Sequence, residues 1–193
     1  MRSASIQERK QYWLYAHAGA SFNIANRACE YLARNPTDKW LREALTGAIV
    51  VYYGRPFKWH AGKPGRDAVR LGDEFVPKPW RVLHHDLMQM RDQVFAHVDA
   101  GVPFDEHDLN EVRVSVKRGE ATTTARLLYL RSEVLENIRQ LIRELCQKAE
   151  YRSERLFRQL APRRLGDGEY LADISTKTAA PLLRLPSLSS DEV

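Results

Sequence analysis

From about Ser5 to Ala33 apolar residues recur at three-to-four-residue steps, Trp13, Ala16, Ala20, Ile24 and Ala28 among them, with no proline between. That period predicts a helix. Asn35-Pro36 ends it, because the residue before a proline is pushed out of the helical region. Thr37 is placed to cap a second helix with its hydroxyl, and Asp38 suits the positive end of the helix dipole. The second helix carries Trp40, Leu41, Leu45, Ala48, Ile49 and Tyr52 and stops near Gly54-Arg55-Pro56. Residues 57–78 read as a long connection, with Pro64-Gly65 and Gly72-Asp73 as turn signals and little periodicity. Connections this long are often functional; the plainer reading is an insertion with no role.

Pro79 to about Asp99 is expected to be the third helix, with proline in its first turn. With Leu83 placed at zero, Leu87, Met90, Val94 and Val98 fall within about 80° of one another. They form the core stripe. Arg91 at about 80° and His97 at about 320° flank that stripe, while Asp92, near 180°, points outward with His85.

Gly101-Val102-Pro103 breaks the pattern. Glu111 to Val116 then alternates, Arg118-Gly119 signals a turn, and Thr122 to Thr124 suits a return strand, which predicts a small β-hairpin at about 111–124. From Ser132 to about Leu160, Leu135, Ile138, Ile142, Leu145 and Ala149 form a seam that can pack in a bundle. Together these elements predict an all-α bundle over residues 1–164, with the hairpin inserted before the last long helix. Residues 165–193 carry Gly, Pro, Ser and scattered Leu without a period, and are expected to form a tail, loosely docked or disordered.

Composition narrows the classes. Hydrophobic residues are 44% of the 193, enough for a core. No apolar run approaches the ~20 residues of a membrane span, and the opening Met1 to Glu8 lacks the apolar run of a secretory signal. Only Cys29 and Cys146 are present, so neither a disulfide framework nor a cysteine metal site is indicated. A cytoplasmic protein is the simplest expectation. The net charge of +5, with a pI near 9.3, permits nucleic-acid contact without demanding it.

The candidate chemistry lies at the end of the third helix, in Leu87-x-x-Met90-Arg91-Asp92-x-x-Phe95-Ala96-His97-Val98-Asp99. This string resembles the Arg-polar-x-x-x-x-His signature of HEPN domains. These are small helical bundles, many of them metal-independent ribonucleases that act as dimers. Asp92 stands where the family often has Asn or another polar residue; a carboxylate there can tether Arg91 or repel phosphate. Gly54-Arg55-Pro56-Phe57 also resembles sequences in bacterial members.

The resemblance implies an endoribonuclease that needs no cofactor. RNA supplies its own nucleophile, the 2′-hydroxyl. Histidine suits the proton transfers because its ordinary pKa, about 6.5, lies near working pH, and arginine clamps phosphate with a planar fork that keeps its charge. His97 is thus the expected acid–base residue and Arg91 the expected clamp. Six helical steps separate two residues by about 9 Å and about 120°, so two crossing copies of the helix gather these groups better than one. A homodimer acting on RNA is the expected assembly. A toxin or phage-defence role, with an antitoxin protein as partner, is implied by the resemblance alone. Two rival readings stand beside it: a non-catalytic HEPN-like interaction module, and a basic nucleic-acid-binding protein.

Auxiliary candidates are His84, Asp92 and Asp99; weaker RNA contacts are Lys58, Lys63, Arg66, Arg70, Arg152 and Arg155. Each has a plainer reading: an ion pair for Arg91, a helix-end charge for His97, a buried hydrogen-bonded ring for His84, and solvated faces for the cations. The Trp and Tyr residues are expected in the core before they are base-stacking platforms. No metal is expected, since His84-His85-Asp86 diverge around a helix.

Overall fold

The structure, a computed structural model, describes residues 5–34, 37–58, 69–92, 103–104, 107–108, 112–117, 120–125, 130, 132–160, 171–172 and 183–184. These are predominantly helical. Helix α1 runs Ile6–Ala33 and begins in a capping box: the Ser5 hydroxyl accepts from the Glu8 backbone N–H while the Glu8 carboxylate accepts from Ser5 N–H. This satisfies orphan donors at both positions. Helix α2 runs Lys39–Gly54. Its cap is Asp38 rather than Thr37, accepting from Trp40 N–H at 2.8 Å. A carboxylate at that position also meets the helix dipole, which a hydroxyl does only weakly.

Helix α3 is shorter at its start than the sequence suggested. Lys78–Trp80 forms a 3₁₀ turn, and the α-helix proper is Arg81–Met90. The long helix α4 spans Ser132–Leu160. Short antiparallel backbone pairs occupy other described segments: β1 (Pro103–Phe104) with β2 (His107–Asp108), β3 (Val112–Lys117) with β4 (Glu120–Ala125), and β5 (Leu171–Ala172) with β6 (Leu183–Arg184). The expected hairpin turn at 118–119 lies outside the described residues, as does most of the expected tail.

The core forms where α1 packs against α2 and α4, with α3 laid on α2. Leu135, Ile138, Leu141, Ile142, Leu145 and Ala149 of α4 are all buried. Full burial of such aliphatic side chains is worth about 1.5–3 kcal/mol each, so this seam stabilises the bundle strongly. On α1 the buried stripe is Ala18, Phe22, Ala25, Cys29 and Leu32; Ala16, Ala20 and Ile24, part of the predicted series, face solvent. Trp40, Tyr31 and Tyr151 are exposed as well, against the expectation that aromatics fill the core.

The largest correction concerns the connection after α2. Residues 59–68 lie outside the described set, but its second half is part of the core. Leu71, Phe75 and Val76 are buried. Leu71 N–H donates to Pro56 O at 2.8 Å, and a 3₁₀ turn at Asp73–Phe75 carries Phe75 inward. The indole N–H of Trp80 then donates to Glu144 at 3.0 Å, joining the start of α3 to α4. None of the described helices is long and apolar enough to cross a membrane.

Candidate functional site

The end of α2, the turn after it and the end of α3 converge on one corner. Tyr53 is the last large residue of the buried α2 face, and Pro56 and Phe57 fold the chain back through a 3₁₀ turn at Arg55–Phe57. Phe22, Tyr53 and Phe57 form an aromatic group, with ring centroids 5.7–6.2 Å apart. The ring of His84 stands edge-on to Phe57 at 4.6 Å. Its Nδ1 is 2.7 Å from the Tyr53 hydroxyl, and its Nε2 is 3.7 Å from an Asp73 oxygen. Burial holds the His84 pKa below the ordinary histidine value, against the opposing pull of Asp73. The neutral ring is therefore the resting form. Buried as it is, His84 supports this corner rather than facing a substrate.

One turn beyond Leu87 the helix widens. Arg91 and Asp92 continue α3 as a π-type turn, and the Arg91 backbone N–H is shared between Leu87 O and Met88 O. Such turns redirect side chains and are frequent at functional positions. Here the wide turn brings Asp92, expected to point to solvent, onto two cations. Its Oδ1 accepts from Arg91 Nη1 at 2.7 Å, and its Oδ2 accepts from Lys58 Nζ. Burial alone would raise the Asp92 pKa. Hydrogen bonds and charge from Lys58 and Arg91 outweigh it and hold the carboxyl below its ordinary range.

Arg91 lies against Gly54. A β-carbon at that position would come within 2.6 Å of Arg91 Cδ, so the absence of a side chain is what lets the arginine stem pass. Arg91 Nε is buried without a hydrogen-bond partner. The sequence marked Gly54 as a helix stop and through its resemblance, and Asp73 as a turn, but gave neither Asp73 nor Tyr53 a place at the site. The one signal for Tyr53 is that it shares the apolar face of α2 with Ile49.

No protein-family model matches the chain, and no curated protein or solved structure matches it either. Its chemistry has to be read from its own residues. His97 and Asp99, and the cations Lys63 and Arg66, lie outside the described residues. Arg70 is exposed beside Leu71. Arg152 and Arg155 stand apart on the exposed side of α4. Arg152 donates to the Tyr15 hydroxyl at 2.9 Å and lies over the Tyr15 and Phe75 rings at 5.4 and 5.1 Å. Lys148 donates to Phe75 O at 2.6 Å, and burial followed by the charge of Arg152 lowers its pKa. Those contacts clip α4 to α1 and to the 71–76 segment.

The two cysteines are not poised as nucleophiles. Burial pushes both thiols, Cys29 and Cys146, up to about 12, so neither is a thiolate at neutral pH. Among the described residues no three His, Cys, Asp or Glu side chains gather to hold a metal ion. Among the described residues, the Arg91 corner groups a guanidinium seated against Gly54, a second cation, and a carboxylate between them.

Proposed function

We propose that this protein is a metal-independent endoribonuclease of the HEPN type, acting as a homodimer. The reading rests on the Arg-x₅-His string Arg91 to His97. The single observation that supports it is the seating of Arg91 over Gly54 at the end of α3. The contact holds the arginine stem against the end of α2 instead of leaving it free in solvent.

In this mechanism Arg91 binds the scissile phosphate and offsets the charge that grows on it. His97 serves the proton transfers. The 2′-hydroxyl oxygen attacks phosphorus as its proton passes to a base, and the bond to the 5′ oxygen breaks as that oxygen takes a proton. The products are a 2′,3′-cyclic phosphate and a 5′-hydroxyl. The partner copy's helix brings a second Arg–His set to the same phosphate. Toxin or phage-defence action, with an antitoxin as partner, remains part of the proposal on resemblance alone.

One observation favours a different reading, a non-catalytic HEPN-like interaction module. Asp92 already neutralises Arg91, as a purely structural ion pair would. Incubating RNA with the protein and a chelator, beside an Arg91→Ala/His97→Ala variant of matched folding, separates the two. Cleavage by the wild type alone is expected; cleavage by the double variant would remove the site from the chemistry.

A further inference from the structure

Lys58 and Arg91 arrive at one carboxylate from different elements. Lys58 closes the turn after α2, and Arg91 ends α3. Each cation takes one oxygen of Asp92. The three side chains are partly accessible, 34% for Lys58, 23% for Arg91 and 38% for Asp92. The corner is therefore open to solvent while its cations are already spaced.

A phosphodiester presents the same pattern as this carboxylate. It has two acceptor oxygens on one central atom and a single negative charge, which suits a guanidinium fork beside an ammonium. Lys58, Arg91 and Asp92 together carry one net positive charge. With Asp92 turned outward and a phosphodiester in its place, the two cations keep an anion between them. We propose that Lys58 is a second phosphate-binding cation of the Arg91 site, and that Asp92 is a built-in occupant which the phosphodiester displaces. The proposal rests on the ribonuclease reading for the identity of the ligand as RNA. The binding it describes involves no bond breaking.

Three consequences separate this arrangement from an ordinary ion-pair cluster. Loss of Lys58 weakens phosphate binding and lowers its salt dependence. Loss of the Asp92 charge strengthens binding, because nothing has to be displaced. The gain from removing Asp92 shrinks when Lys58 is already gone, because Asp92 then blocks one cation instead of two.

The test uses a short 2′-O-methyl RNA oligonucleotide, which keeps its phosphates and lacks the attacking hydroxyl. Its affinity is read by fluorescence anisotropy over a series of salt concentrations, for the full chain and for Lys58→Met, Asp92→Asn and the double variant. Lys58→Met is expected to weaken binding about threefold to tenfold, the order of one partly exposed charged contact. It is also expected to reduce the salt slope by about 0.7, the share of one single-stranded phosphate contact. Asp92→Asn is expected to tighten binding by a similar factor. Lys58→Arg, which keeps the charge, is expected to bind like the wild type, and an unchanged melting temperature of Lys58→Met excludes a folding defect. Unchanged affinity and slope in folded Lys58→Met, or no gain in Asp92→Asn, overturns the proposal. The oligonucleotide binding as expected while unmodified RNA stays intact would fail the nuclease reading and leave this site standing. RNA cleaved normally by Lys58→Met, with unaltered affinity, would do the reverse.

Discussion

The seam between α1 and α4 and the corner where α2 meets α3 are built on opposite plans. The seam is a run of aliphatic side chains, Ile138, Leu141, Ile142 and Leu145, completely buried in one core cluster with Ala18, Phe22 and Ala25 where α4 packs on α1. Its interactions are many, weak and non-directional. The corner depends on single contacts: one glycine under Arg91, one hydroxyl on His84, one carboxylate between two cations. The close-packed seam sets stability. The polar contacts of the corner sit on a buried aromatic group, so small changes to Gly54, Lys58 or Asp92 alter geometry before they alter the fold.

The comparison is broken most directly at the seam. Leu141→Ala removes a fully buried side chain and is expected to cost about 2–5 kcal/mol, read as a fall in denaturant midpoint with unchanged slope. A loss below about 1 kcal/mol would mean that the seam is not the principal core.

Tyr53→Phe is the next largest expected effect. It strips the buried Nδ1 of His84 of its partner, which costs about 1–3 kcal/mol. The same measurement checks it, and an unchanged midpoint would show that the pair contributes nothing.

Gly54→Ala sharpens the contrast further. Alanine gains about 1 kcal/mol of helix propensity, and overpacking against Arg91 costs about 1–3 kcal/mol. The net is a loss of up to about 2 kcal/mol, so the midpoint is expected to fall modestly. Affinity for the 2′-O-methyl oligonucleotide is expected to fall several-fold because Arg91 is displaced. Stability falling sharply while affinity holds would place Gly54 with the seam.

The smallest effect is the pH dependence. His84 has its pKa lowered in the folded state, so near pH 6.5 the unfolded chain binds more protons at this position. Its contribution to stability is therefore present above about pH 6.5 and is lost as the pH falls below that value. The melting temperature of His84→Gln is expected to fall less steeply than that of the wild type between about pH 6.5 and 5. Parallel curves would assign the acid sensitivity to other groups.

These regions also differ in how legibly the sequence encodes them. The α4 seam, with its strict three-four spacing, was readable from Leu135 to Ala149, and the span from Ser132 to Leu160 followed. On α1 the same logic chose a series of which Ala16, Ala20 and Ile24 face solvent while Ala28 is buried. Ala16 and Ala20 are apolar but small, α1 packs against both α2 and α4, and the large residue that decides the register is Phe22. The segment from Leu71 to Val76 has no period to detect, since a 3₁₀ turn and a tertiary hydrogen bond, not a repeat, carry its side chains inward.

In the sequence Arg91 stood out through its motif, and His84 was expected as a buried, hydrogen-bonded ring, which is how it lies. The placement of Asp92 was not legible. A helical wheel sends it outward only while the turn keeps its ordinary width, and the wide turn at 91–92 ends that condition. Its partner Lys58 is 34 positions away in the chain. No spacing rule reaches across that separation; only the packing of α3 on α2 joins them.

In the proposed function Arg91 is the phosphate clamp and His97 the acid–base residue of a metal-free ribonuclease. The measurement that bears on it most directly is the typing of RNA ends after incubation with the chelated protein, beside folded His97→Ala. The expected result is 2′,3′-cyclic phosphate and 5′-hydroxyl ends from the wild type and intact RNA from the variant. Intact RNA with both, or the same ends from both, would contradict it.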